Sequence, residues 1–154
     1  MAVTPKLYGL FAKSLANKEV DLDSDTVKVA LFNSSLSINQ DTHQYFDASP
    51  YTSNQSSGTG YTAGGLTISP GSLSYDGATN RLYVDFSDAI WNPITLAAGT
   101  TAARYCVIYD SSPSSNKPLI AYGDFGSDQT PNNGIMTLAW SSSPTGLFYI
   151  QVAA

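Results

Sequence analysis

Arg104-Tyr-Cys-Val-Ile-Tyr-Asp110 and Leu119-Ile-Ala-Tyr-Gly-Asp-Phe125, separated by Ser111-Ser-Pro-Ser-Ser-Asn-Lys-Pro118, form the stretch whose reading decides the fold. The first run is dense in β-branched and aromatic side chains, which fit a pleated, half-buried surface better than a helix. Alternation places Tyr105, Val107 and Tyr109 on one face and Arg104, Cys106 and Ile108 on the other, so the run reads as a central strand with core on both sides. Pro113 and Pro118 lack the N–H that a ladder needs, and the Ser/Asn between them favour local turns. The two runs therefore read as strands joined by a hairpin or a short crossover.

Working outward, the neighbours of this unit repeat the strand signature. Val27, Val29 and Leu31 alternate with Lys28, Ala30 and Phe32 over residues 26–32, a strand with one buried face. Residues 71–75 and 81–86 flank Asp76-Gly77-Ala78-Thr79-Asn80, whose Asp-Gly pair signals a hairpin with Leu82, Val84 and Phe86 on its core face. Residues 88–101 hold Ile90, Trp91, Pro93, Ile94 and Leu96 before the small-residue run Ala97-Ala98-Gly99-Thr100-Thr101 interrupts the pattern. After a turn-rich connection over 126–134, Met136, Leu138 and Trp140 share one face of a strand over 135–140. A last strand over 146–153 sets Phe148, Ile150 and Val152 against Leu147 and Tyr149. One helix is expected, over residues 4–17, with Thr4 as N-cap, Pro5 at the first helical position and Leu7, Leu10, Phe11 and Leu15 on one face.

This tally of one helix and seven or eight strands predicts a mainly β, single-domain protein over residues 1–154. The architecture expected is an antiparallel β-sandwich or jelly-roll-like barrel with a short N-terminal α-helix. Val29, Leu31, Val84, Phe86, Val107, Leu138 and Ile150 are its expected core. A chain of 154 residues is long enough to bury such a core without metals or disulfides. Its single cysteine, Cys106, has no partner in the chain and reads as an inert core thiol. Charged residues make up only 12%, about half the usual share of roughly 25%, so the surface must be covered by hydroxyls, amides, glycine and tyrosine. Seven Lys plus Arg scattered singly in a chain of net charge −5 make no basic stripe, which argues against nucleic acid as a partner. No segment is long enough to span a bilayer and the N-terminus has no signal-peptide pattern, so a soluble protein made in a cytoplasm is expected.

Residues that could carry chemistry fare poorly against simpler accounts. Asp21, Asp23 and Asp25 resemble the opening of a calcium loop, but Thr26 stands where the turn glycine belongs and Phe32 where the bidentate Glu belongs, so an acidic turn is expected. His43, the only histidine, lies between Asp41 and Asp47 and could be pictured as a carboxylate-oriented base, yet no Gly-x-Ser-x-Gly elbow supplies a nucleophile. A loop over residues 33–60, with one helical turn within 39–47, is the expected setting. Gly58, Gly60, Gly64 and Gly65 lack the Lys-Ser/Thr ending of a phosphate loop and read as bends in a β-ribbon. Trp91 could stack on a sugar, but beside Ile90 it reads as packing. The expectation is no catalytic residues, no metal and no cofactor.

The blocks Lys6 to Asp21, Asp25 to Leu31, Asn39 to Asp47, Gly58 to Gly65, Ala103 to Asp110 and Pro118 to Gly126, in this order, resemble a family of small tailed-bacteriophage virion proteins over nearly the whole chain. The best match in role is to capsid decoration, or cement, proteins, which sit on the outer capsid at local symmetry axes, often as trimers, and clamp neighbouring capsomers. The resemblance implies a non-enzymatic role on the virion surface, with the major capsid protein as partner and self-association, a trimer being favoured. Leu7, Phe11, Tyr45, Phe46 and Tyr51 are the candidate contact residues, because the helix is a separate amphipathic unit and the 33–60 loop lacks core periodicity. The alternative is a tail or fibre module that binds a host-surface glycan or receptor through aromatics such as Trp91 or Tyr51.

Overall fold

The computed structural model describes residues 3–69, 71–140 and 146–152. In chain order its elements are β1 (Lys6–Leu7), α1 (Phe11–Ala16), β2 (Val27–Phe32), β3 (Gly58–Thr59), β4 (Leu66–Thr67), β5 (Ser72–Asp76) and β6 (Arg81–Asp85). They continue with β7 (Ala89–Leu96), a 3-10 turn (Gly99–Thr101), β8 (Ala103–Asp110), β9 (Leu119–Gln129), β10 (Gly134–Leu138) and β11 (Phe148–Gln151). β8 is the centre of a five-stranded sheet of order β1-β9-β8-β2-β4, and two three-stranded sheets, β10-β7-β3 and β11-β6-β5, complete the fold. Every one of these pairings is antiparallel, which gives the expected mainly β, sandwich-class architecture with one short helix.

The quoted stretch behaves as its pattern predicts. β8 pairs β9 through a hairpin, with Val107 opposite Tyr122 and Cys106 opposite Gly123, and pairs β2 on its other side, with Ile108 opposite Val29. Cys106 through Asp110 are all buried, as a strand with core on both faces requires. β9 runs on to Gln129, past the expected end at Phe125, because a register shift between Ala103 and Tyr105 lets Ala103 pair with Gln129. Gly123 belongs to this packing: a Cβ there would meet the Val3 and Cys106 side chains.

β2 departs from its expected single buried face, since Ala30 and Phe32 are as buried as Val27, Val29 and Leu31. The second cover comes from the long loop after β2, whose Phe46 and Tyr51 rings stand edge-on to Phe32 at 5.9 and 5.8 Å. The glycines between β3 and β4 make a bend in the chain: Gly60, Gly64 and Gly65 have positive φ, and a Cβ on Gly65 would collide with the Val29 carbonyl.

The N-terminal helix is much shorter than expected. Lys6 and Leu7 form an edge strand opposite Tyr122 and Ala121, and the Tyr8 N–H donates to the Ile120 carbonyl at 3.1 Å. An unpaired edge of β9 offered these residues a ladder, and that tertiary demand overrode a helix that Thr4 and Pro5 could have started. The helix begins only at Phe11, with Leu10 as a cap that makes no side-chain hydrogen bond. It ends on Lys18 at φ 60°, where Lys18 N–H donates to the Leu15 carbonyl and Glu19 N–H to the Ser14 carbonyl, a Schellman stop.

Of the expected core, Val29, Leu31, Val84, Phe86, Val107 and Leu138 are buried, and Ile150 is not, at 36% exposure. Alternation alone could not place it, because the sheet that holds β11 extends beyond the elements that cover it. The Ala153 end of the expected last strand lies outside the described residues. β7 is an eight-residue strand in spite of Pro93. Asn92 and Pro93 between Trp91 and Ile94 lie opposite the single Ile135 between Met136 and Gly134, so the missing proline N–H falls at a bulge in the ladder.

Candidate interaction surfaces

The residues expected to meet a partner are distributed very differently from what their sequence positions suggest. Phe11, Phe46 and Tyr51 are core residues, covered by their own chain, and this corrects their assignment as contacts. Phe46 stacks flat on Tyr109 at 3.6 Å between ring centres, and Phe11 meets Phe148 edge-on at 5.6 Å. Leu7 is half-buried in β1 and packs against the core. Tyr45 is half-buried as well, and its hydroxyl donates to Glu19 at 3.4 Å. These five residues are thus divided between the interior and a partly covered margin. The loop lacked periodicity because its aromatics fold back onto a sheet face individually, not as a strand or helix.

Tyr51 anchors a buried polar chain within this aromatic cluster. Its hydroxyl lies 2.8 Å from the Tyr8 hydroxyl and 2.9 Å from His43 Nδ1. The Asn39 N–H also donates to Nδ1, at 3.3 Å, so this ring nitrogen is an acceptor. The Tyr51 hydroxyl therefore donates to His43 and accepts from Tyr8. Burial raises the Tyr51 phenol to about 12 and lowers His43 below its ordinary value, keeping both groups neutral near pH 7. His43 Nδ1 thus faces a tyrosine and a backbone amide instead of a flanking carboxylate, and Asp47 is engaged elsewhere, accepting from the Asn116 and Lys117 N–H groups at 2.7 and 3.1 Å. Residues 39–43 make the expected single helical turn: the His43 N–H donates to the Asn39 carbonyl at 3.2 Å, and Asn39 Oδ1 caps it by accepting from the Asp41 and Thr42 N–H groups at 3.0 and 3.1 Å.

The other chemical candidates have structural partners too. Asp21 accepts from the Asp23 and Ser24 N–H groups at 3.0 and 3.3 Å, and Asp25 accepts from the Asp21 N–H at 2.6 Å, so the acidic run closes its own turn. Burial pushes the Cys106 thiol up to about 12, as expected of an inert core residue. Trp91, at 2% exposure, has no face free for a sugar, and the same holds for Tyr51. Asp110, a fully buried carboxylate, accepts from the Ser112 N–H at 2.8 Å through one oxygen, while its Oδ2 has no hydrogen-bond partner among the described residues.

What the surface does present is apolar and lies on the smaller sheets. Leu73, Tyr75, Tyr149, Ile150 and Val152 are exposed around β5, β6 and β11, and Ile90 and Ile135 on the β7-β10 pair. Leu73 and Ile150 of the first group line a groove of about 420 Å³ together with Leu15, Val20, Leu22 and Leu82. Ser72-Leu-Ser-Tyr-Asp76 does carry a signal for this surface, since its two apolar side chains alternate with serines in a hairpin arm. Nothing in that pattern tells which face the rest of the chain will leave uncovered. Compared with protein-family models, curated proteins and solved structures, the chain finds no match in any of the three.

Proposed function

We propose that this protein is a non-enzymatic structural component of a tailed-bacteriophage virion, a capsid decoration protein that binds the major capsid protein on the outer capsid surface as a self-associating unit, a trimer being favoured. The observation that carries the reading is the ordered set of sequence blocks from Lys6 to Gly126 that resembles small phage virion proteins. Physical features support it. Only 12% of residues are charged and ten are tyrosines, a composition suited to broad, partly wet contacts in which each copy binds modestly and many copies act together. The polar groups of highest chemical interest, His43 and Asp21 to Asp25, are engaged in holding loops. A tail or fibre module that binds host glycans is the competing role, and it loses its two named aromatics, Trp91 and Tyr51, to the core.

The experiment is to mix the purified protein separately with capsids stripped of decoration and with host cells. Saturable binding to capsids, counted by electron microscopy as filled surface sites, is the expected result. Binding to cells without binding to capsids would reverse the order of the two roles.

A further inference from the structure

We propose that the apolar face of the β11-β6-β5 sheet is the seat of a second copy of this chain. This takes up the self-association in the reading above and does not depend on the capsid. Register lines up Leu73, Val84 and Phe148 in one row across the three strands and Tyr75, Leu82 and Ile150 in the next, so both rows lie on one face. The first row runs into the protein's own core, where Val84 is buried and Phe148 packs on Phe11. The second row does not: Tyr75 is 57% exposed and Ile150 36%. Val152, whose N–H donates to the Asn80 carbonyl, continues the same face at 54% exposure, and Leu73 at the end of the first row is 43% exposed.

Four side chains of this size at such exposure, with the groove walls beside them, leave on the order of 400 Å² of contiguous apolar surface. That is within the range of roughly 300–600 Å² found for the largest and often functional patch of a monomer. A stable pair needs about 800 Å² from each partner, of which an apolar centre supplies about half and a polar rim the rest. The rim here suits a like partner. Lys18 and Asp21, one charge of each sign, line the groove, so two copies brought face to face meet with no net repulsion and with a cation available to an anion. The outer strand adds a second element. Among the described residues β5 pairs only with β6, and its sequence Ser72-Leu-Ser-Tyr-Asp76 has no lysine or proline to discourage an approaching strand.

The test is the solution mass of the full chain from low to high micromolar concentration, by sedimentation or light scattering, for the wild type and for Leu73→Asp combined with Tyr75→Asp. Ile90→Asp, at an exposed position of another sheet, is the control. The wild type and the control should have a multiple of the monomer mass, and the double variant the monomer mass with unchanged circular dichroism. Should the aspartates disturb the hairpin, Leu73→Ser with Tyr75→Ser should still weaken association at least about tenfold. A wild type that stays monomeric at every concentration, or a folded double variant that keeps the wild-type mass, overturns the proposal. Capsid binding is measured on the same samples. A monomeric wild type whose patch variant no longer binds capsids would make the capsid the occupant, overturning this proposal and leaving the decoration role standing. An oligomer that the double variant disperses, with no capsid binding by the wild type, would support this proposal and overturn that role.

Discussion

The hydroxyls of Tyr8 and Tyr51 meet at 2.8 Å in the interior and join the N-terminal edge strand to the long loop after β2. Both rings are at most 1% exposed, so a hydroxyl that loses its partner there cannot turn to solvent. Tyr51→Phe should therefore cost about 1–3 kcal/mol, since it strands the Tyr8 hydroxyl and leaves His43 Nδ1 with only the longer Asn39 contact. Tyr8→Phe should cost less, because Tyr51 retains His43. The double variant should be more stable than the sum of the two losses predicts, and urea unfolding of all four proteins measures that coupling. Removing residues 1–17 would take away Tyr8 together with β1 and α1, so that truncation should lower stability before it tests any role in attachment.

Val107 occupies the centre of the central strand at 0% exposure, between Ala30 of β2 and Tyr122 of β9. Val107→Ala deletes two methyl groups from a site that the sheet cannot readily collapse, and should cost about 1–3 kcal/mol. Unchanged stability in denaturant unfolding would contradict its place in the core.

How far the fold could be read depended on whether a residue's environment was set by its own strand. Val107 and Val29 followed alternation because ladders on both sides hold their strands in register, and Leu138 because the β7 ladder holds β10 with that face on the core. Leu7 and Tyr8 failed because a helical pattern competed with a sheet edge more than a hundred residues away, and that edge is invisible in local sequence. Phe46 and Tyr51 failed for a related reason: a ring from an irregular loop that covers a distant strand has no period. Ile150 obeyed its period, but period gives a face and not the presence of a cover over it. The same limit hid the exposed Leu73 and Tyr75. His43 was legible as a loop residue, while its tyrosine partner, eight residues on, was not.

Lys18 ends the helix in the left-handed region, at φ 60°, where a Cβ costs energy and glycine does not. The stop itself depends on backbone hydrogen bonds from Lys18 and Glu19 that any residue can make. Lys18→Gly should thus stabilise the protein by about 0.5–1 kcal/mol, read as a higher midpoint in urea with unchanged slope. Lys18→Val should shift the midpoint the other way, as a β-branched side chain fits that region worst.

Asp110 should make stability depend on pH in a direction opposite to most carboxylates. Burial is the main cause that raises it from 3.8 to about 6; the Ser112 N–H works against the shift, and the nearby Asp25 carboxylate adds to it. A group whose folded value lies above its unfolded value favours folding in its protonated form. Its contribution is complete below pH 3.8 and is lost as pH rises through about 6. His43 has the opposite sign in an overlapping window, because burial lowers it, so its contribution is present at neutral pH and lost as pH falls through its depressed value. The two partly cancel in the wild type, and substitution separates them. Asp110→Asn keeps an oxygen for the Ser112 N–H and removes the buried charge, so at pH 7 it should be more stable than the wild type by about 1–2 kcal/mol. Near pH 4 the two proteins should converge, and between these limits the variant should keep the acid-side loss from His43, joined toward pH 4 by carboxylates such as Glu19 and Asp124 that hydrogen bonds hold below their ordinary values. A wild-type advantage at pH 7, measured by urea unfolding across this range, would mean that the Asp110 carboxylate is held ionised by a stabilising partner.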